Sequence, residues 1–160
     1  SAWVRSVSAQ ALGEIGEIQA APVLLHALDD PDRYVRASVA EALGKLRDYR
    51  SSMKLLEMVD DESDLVRAQV FRALGRIGNP AAIPSLLKAL DDPEPQVRCA
   101  AIEALAELRV VSIIDRLRAI TRPWPFSREP KEVKEIARWA IDVLTQALTA
   151  QAQSSNNAST

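Results

Sequence analysis

The chain has 160 residues, enough for one domain with a real core. Hydrophobic residues make up 48% of it and aromatics 4%, so the core is built from Leu, Ile, Val and Ala, which suits close-packed helices. A net charge of −2 supplies no basic field for nucleic acid, and no apolar run reaches the roughly 18 residues of a membrane span.

The first element, "SAWVRSVSAQALGEIG" over residues 1–16, is a helix with apolar positions at Val4, Val7, Ala11 and Leu12. Nothing in the sequence covers that stripe from its N-terminal side, so a longer array or a covering partner chain is expected. Residues 17–47 form a two-helix unit. "AAPVLLHALDD" is its first helix, with Leu24, Leu25 and Leu28 at helical spacing and Pro22 near the start, where a missing N–H costs nothing. "PDRY" is a tight turn, and "VRASVAEALGKL" is a second helix with its stripe at Val35, Val39, Ala42, Leu43 and Leu46. Residues 48–78 and 79–109 repeat the unit.

The register of the repeat is strict. Val-Arg recurs at Val4-Arg5, Val35-Arg36, Val66-Arg67 and Val97-Arg98, in steps of 31. Ala-Leu follows at Ala11-Leu12, Ala42-Leu43, Ala73-Leu74 and Ala104-Leu105; then come Gly13, Gly44, Gly75 and Ala106. These glycines serve either a turn or the close approach of a neighbour. A unit this small cannot bury both its stripes alone, but stacked units can. The fold class is therefore all-α, a right-handed α-α superhelix (solenoid) of about 31-residue helical hairpins.

Residues 110–150 close the array as a capping unit. "VVSIIDRLRAIT" is its first helix and "VKEIARWAIDVL" its second. The step from Val97 to Val133 is 36, and the five extra residues fall in an inserted loop at 121–132. Pro123, Pro125 and Pro130 make this loop extended and ordered. Trp124 and Phe126 either fold back to seal the last helix pair, the reading preferred for a repeat end, or protrude to dock a partner. The polar tail at 151–160 is expected to be disordered.

The units "DDPDRYVRASVAEALGKL", "DDESDLVRAQVFRALGRIG" and "DDPEPQVRCAAIEALAEL" resemble the HEAT family, specifically its short HEAT-like repeats named after phycobilisome lyases, with an armadillo-like superhelix. The resemblance covers about residues 1–150. It implies a fold rather than one activity, since such repeats host many functions. It also implies, as an alternative function, a subunit related to phycobilin lyases or chromophore-detaching proteins, handling an open-chain tetrapyrrole on a phycobiliprotein.

Asp30, Asp61 and Asp92 each stand six residues before Arg36, Arg67 and Arg98. The acid lies in the inter-helix turn and the base one turn inside the second helix. Their side chains can link along the stack as a structural ladder, the role the family resemblance also implies, rather than form a catalytic site. In the capping unit Pro123 takes the place of the ladder aspartate.

No residue set carries chemistry. His26 is the single histidine, at a solvated position, and no Cys/His cluster reaches metal-ligand number. No phosphate loop occurs, and Cys99 has no histidine near it in sequence. No catalytic residue, cofactor or metal is expected. A lone cysteine and no visible signal peptide fit a cytoplasmic protein.

Binding is expected on the concave face formed by the second helices. Taking about 100° per residue, one row there reads Gln10, Glu41, Arg72, Glu103 and Trp139, and a flanking row Glu14, Lys45, Arg76 and Glu107. The floor beneath them is read as Ser6, Ala37, Ala68 and Cys99 with Gly13, Gly44 and Gly75. Alternating acid and base is no phosphate track. A protein partner of complementary charge is expected, and the leading function is a non-catalytic interaction module or scaffold.

Overall fold

The computed structural model describes residues 1–122 and 129–157. Among these are nine α-helices and no strand: α1 Ala2–Ile15, α2 Ala21–Ala27, α3 Arg33–Leu46, α4 Ser51–Glu57, α5 Asp64–Ile77, α6 Ile83–Ala89, α7 Pro95–Glu107, α8 Ile114–Thr121 and α9 Lys131–Asn157. Single 3₁₀ turns at Ile18–Ala20, Pro80–Ala82 and Val111–Ile113 lead into α2, α6 and α8.

The second helices form one continuous layer, α1 on α3, α3 on α5, α5 on α7 and α7 on α9. Each short first helix, α2, α4, α6 and α8, packs on the second helix that follows it, while the first helices hardly meet one another. The result is an all-α superhelix with one core running from Ala9 to Leu144. Leu24, Leu55, Leu86 and Leu117, one per first helix, are buried in it.

Local chemistry sets the helix ends. The Asp32 carboxylate caps α3, accepting from the Tyr34 and Val35 N–H groups at 2.8 and 3.3 Å. Past the second helices the backbone turns left-handed at Gly16 (φ 73°), Arg47 (φ 50°), Gly78 (φ 79°) and Arg109 (φ 56°). Those four positions keep the 31-residue step, and two of them carry arginine where glycine would be unstrained.

Gly13, Gly44 and Gly75 do the other task. A Cβ at Gly13 would lie 2.7 Å from the Ala42 Cα, and one at Gly44 2.7 Å from the Ala73 Cα. They let consecutive second helices touch backbone to backbone. The small residues are thus a packed seam and not the floor of a groove, since Ala37, Ala68 and Cys99 are buried too. A second helix flanked by two neighbours and backed by a first helix leaves one narrow strip for solvent.

At the C-terminus, helix α9 continues to Asn157, into the polar segment for which disorder is expected. Residues 151–157 hold no Gly or Pro to stop it. The expectations placed on Trp124 and Phe126, and on Pro123 as the ladder replacement, lie outside the described residues.

Candidate functional site

Two strips of polar side chains run the length of the stack. The first follows the inter-helix turns. Arg36 donates from Nε and Nη2 to the two carboxylate oxygens of Asp61, at 2.9 and 3.0 Å. Its Nη1 donates to the carbonyls of Asp30 and Pro31, both at 3.1 Å. One guanidinium therefore holds its own turn and the next one. Arg67 repeats the pattern on Asp92 and on the Asp61 and Glu62 carbonyls. Each aspartate also fixes its turn from within: Asp30, Asp61 and Asp92 accept from the N–H of Asp32, Ser63 and Glu94.

The ladder has two members that the sequence reading missed. Arg5 forks onto Asp30 at 2.6 and 2.9 Å and holds the Asp30 carboxyl below the ordinary carboxylate range. At the far end the acid is not lost. Glu129 accepts from Arg98 Nη2 at 3.0 Å. This contact is single, and the buried Arg98 Nε has no partner among the described residues. A bidentate fork has become a one-pronged bond across the inserted loop.

The second strip is the solvent-facing edge of the second helices, where the predicted binding residues lie. Lys45 bridges Glu14 and Glu41 at 2.6 and 2.7 Å. Arg72 and Glu103, both half-buried, pair at 3.0 Å. The structure thus brings Glu14, Glu41 and Lys45 into one cluster and Arg72 and Glu103 into another. Gln10, exposed at the N-terminal end of the row, reaches Ser38 Oγ at 3.4 Å. Arg76 and Glu107 have no hydrogen bond or ion pair among the described residues. One Glu107 carboxylate oxygen lies 3.0 Å from where a Cβ on Gly75 would stand, so it rests against the seam. The resulting desolvation pushes this carboxyl above its ordinary range, and Arg76 and Arg47 pull it back. Trp139 ends the row, half open to solvent.

His26 is exposed on α2, and its side chain makes no hydrogen bond or ion pair among the described residues. Cys99 is buried; burial and then Glu103 push its thiol up, away from the thiolate a nucleophile needs. Among the described residues no group of His, Cys, Asp and Glu could hold a metal ion. No described helix is long and apolar enough to cross a membrane.

The sequence and the structure both have known counterparts. A family model described as HEAT repeats matches residues 1–68 and 52–142. No curated protein matches the sequence significantly. Among solved structures, the chain is similar to one in the complex of CpcE and CpcF of phycocyanin lyase from Nostoc sp. PCC7120. The identity is 26% and the TM-score 0.73, over 89% of this chain and 59% of that one. The chain therefore spans less than two thirds of that lyase chain. It is also similar in fold to an engineered protein, at 19% identity and a TM-score of 0.60, over 98% of this chain and 81% of that one.

Proposed function

The chain belongs to the HEAT-repeat family, and from that premise we propose that it is a non-catalytic protein-binding module whose partner docks along the solvent edge of the second helices. The observation that carries this reading is the alternating charged row on that edge. Glu41, Arg72 and Glu103 stand half-buried over a seam of Ala and Gly, and beside them Arg76 and Glu107 attract each other through space without a bonded contact among the described residues. A rigid row of mixed charge favours a partner with the complementary pattern and penalises one of uniform charge. It supports a protein over a phosphate backbone.

The test is quantitative capture on the immobilised chain. Arg72→Glu, Arg76→Glu and Glu103→Lys should each weaken partner binding about tenfold or more while the melting temperature stays within a few degrees. If all three retain full affinity, the partner site is elsewhere.

The likeness to the lyase chain favours a second reading, a place in a lyase-type assembly. That relative is one chain of a two-chain complex, so the partner in this reading is a second chain of such a complex. The bound group would be an open-chain tetrapyrrole. Mixing the protein with bilin and apo-phycobiliprotein should then shift the bilin absorption, and an unchanged spectrum removes this reading.

A further inference from the structure

The solvent edge is not uniform along its length. In the register of Gln10, Glu41, Arg72 and Glu103 the last unit places Trp139, and in the register of Ser38, Gln69 and Ala100 it places Ile136. Together with Glu103 and Glu107 of α7 they line an open pocket of about 320 Å³ between α7 and α9. Its wall on one side is an indole, 44% of the residue being exposed, and an aliphatic side chain. Its wall on the other side is a pair of carboxylates. Glu103 is already engaged by Arg72, whereas Glu107 has no bonded partner among the described residues.

We propose that this pocket receives an arginine side chain of the protein partner, its guanidinium stacked on Trp139 and donating to Glu107. The inference rests on the reading of the second-helix edge as a protein-binding surface, and it names the anchor of that surface. A planar cation meets each wall at once. Its face lies on the ring quadrupole, for which tryptophan is the strongest partner, and its edge presents parallel donors to a carboxylate. Lysine offers no flat face to the ring, and a neutral side chain leaves Glu107 as unpaired as it is in the free protein. Glu107 is exposed, and Arg76 and Arg47 act on its carboxylate only through space, so its oxygens stand open to a bonded donor. Buried anchors of this kind dominate protein interfaces, and the open flanks of the pocket leave room for the backbone that carries the arginine.

The experiment titrates the full chain with acetyl-Gly-Gly-Arg-Gly-Gly-amide and, separately, with its citrulline counterpart, which is isosteric and uncharged. Amide and indole N–H resonances are followed. Saturable shifts centred on Trp139, Ile136 and Glu107 are expected with the arginine peptide. They should be at least tenfold weaker with citrulline and at least tenfold weaker in Glu107→Gln. No saturable shift at Trp139, equal response to both peptides, or an unaffected Glu107→Gln overturns the pocket. Partner capture separates the two readings. Loss of capture in Arg72→Glu with full capture in Trp139→Ala sinks the arginine pocket alone, and full capture in both sinks the second-helix edge as well. Trp139 is exposed enough for the alanine variant to keep its fold, which its thermal melt checks.

Discussion

Val4 and Val133 hold the same place in their repeats, at opposite ends of the molecule. Val4 is 51% exposed and Val133 is fully buried. The residues are identical, and so is their helical register; the difference is the neighbours. Helix α9 is backed by α8 and flanked by α7, while α1 meets α3 on one side and carries Trp3, Val4, Val7 and Ile15 open on the other. Burial in this fold is lent by the adjacent unit, so a residue's energetic weight depends on how many neighbours its helix has.

That contrast can be broken by mutation. The largest effect is expected at the core. Leu74→Ala, in the middle of the stack, should destabilise by about 2–5 kcal/mol. Leu12→Ala, at the same register of α1, should cost less than half as much, because Leu12 is only half-buried. Urea unfolding of both variants measures the pair, and equal losses would dissolve the distinction between middle and end.

The ladder gives a second pair. The Arg67 side chain is 15% exposed and serves two turns, whereas that of Arg5 is 48% exposed and serves one. Arg67→Ala strips Asp92 and two carbonyls of a charged donor and should cost about 1.5–3 kcal/mol. Arg5→Ala should lower the melting temperature far less, as removal of a solvent-screened surface pair does. Thermal melts in low and high salt check both, with the Arg5 contribution the more salt-sensitive.

The seam sharpens the comparison further. Gly44→Ala would set a Cβ against the Ala73 backbone and should cost about 1–3 kcal/mol, despite alanine's better helix propensity. At the C-terminal end the same register is already Ala106, so α7 and α9 meet with room for a methyl. Ala106→Gly should lose the propensity difference and one buried methyl, about 1–2 kcal/mol. Urea midpoints of the two variants compare them directly. The smallest effect has the opposite sign. Arg47→Gly relieves a left-handed backbone and should stabilise by a few tenths to about 1 kcal/mol, visible as a small rise in melting temperature.

The architecture was legible because one 31-residue period carries the helices, the apolar stripes and the ladder together. What escaped notice lies where the period is read wrongly or broken. In sequence the ladder aspartate nearest Arg36 or Arg67 is the one six residues before it, but the arginine's fork reaches 25 residues forward to the next turn. Read that way, Arg5 belongs with Asp30. Glu129 was hidden by the inserted loop, which moves the acid from 25 to 31 residues beyond its arginine. In sequence the small residues read as a groove floor because a single-helix projection has one buried direction, and helices in this stack have three. The link from the Tyr49 hydroxyl to Asn79 and on to the buried Ser52 joins two units through residues that do not recur, so no repeat comparison could point to it. Of the binding edge, the charged rows were visible. Their division into paired and unpaired members was not, because it depends on side-chain reach across helices.

The layer of second helices, with alanine set on glycine, has a bearing on stiffness. Its spacing is pinned at backbone contact along one edge, while the first helices opposite scarcely touch. On that opposite side, ion pairs such as Lys54–Asp29, Lys88–Asp60 and Arg116–Asp91 span consecutive units in place of packed backbone. Strain that bends the array therefore meets its least resistance on the first-helix side, where exposed ion pairs worth about 0–1 kcal/mol each join the units, and its greatest at the close-packed seam.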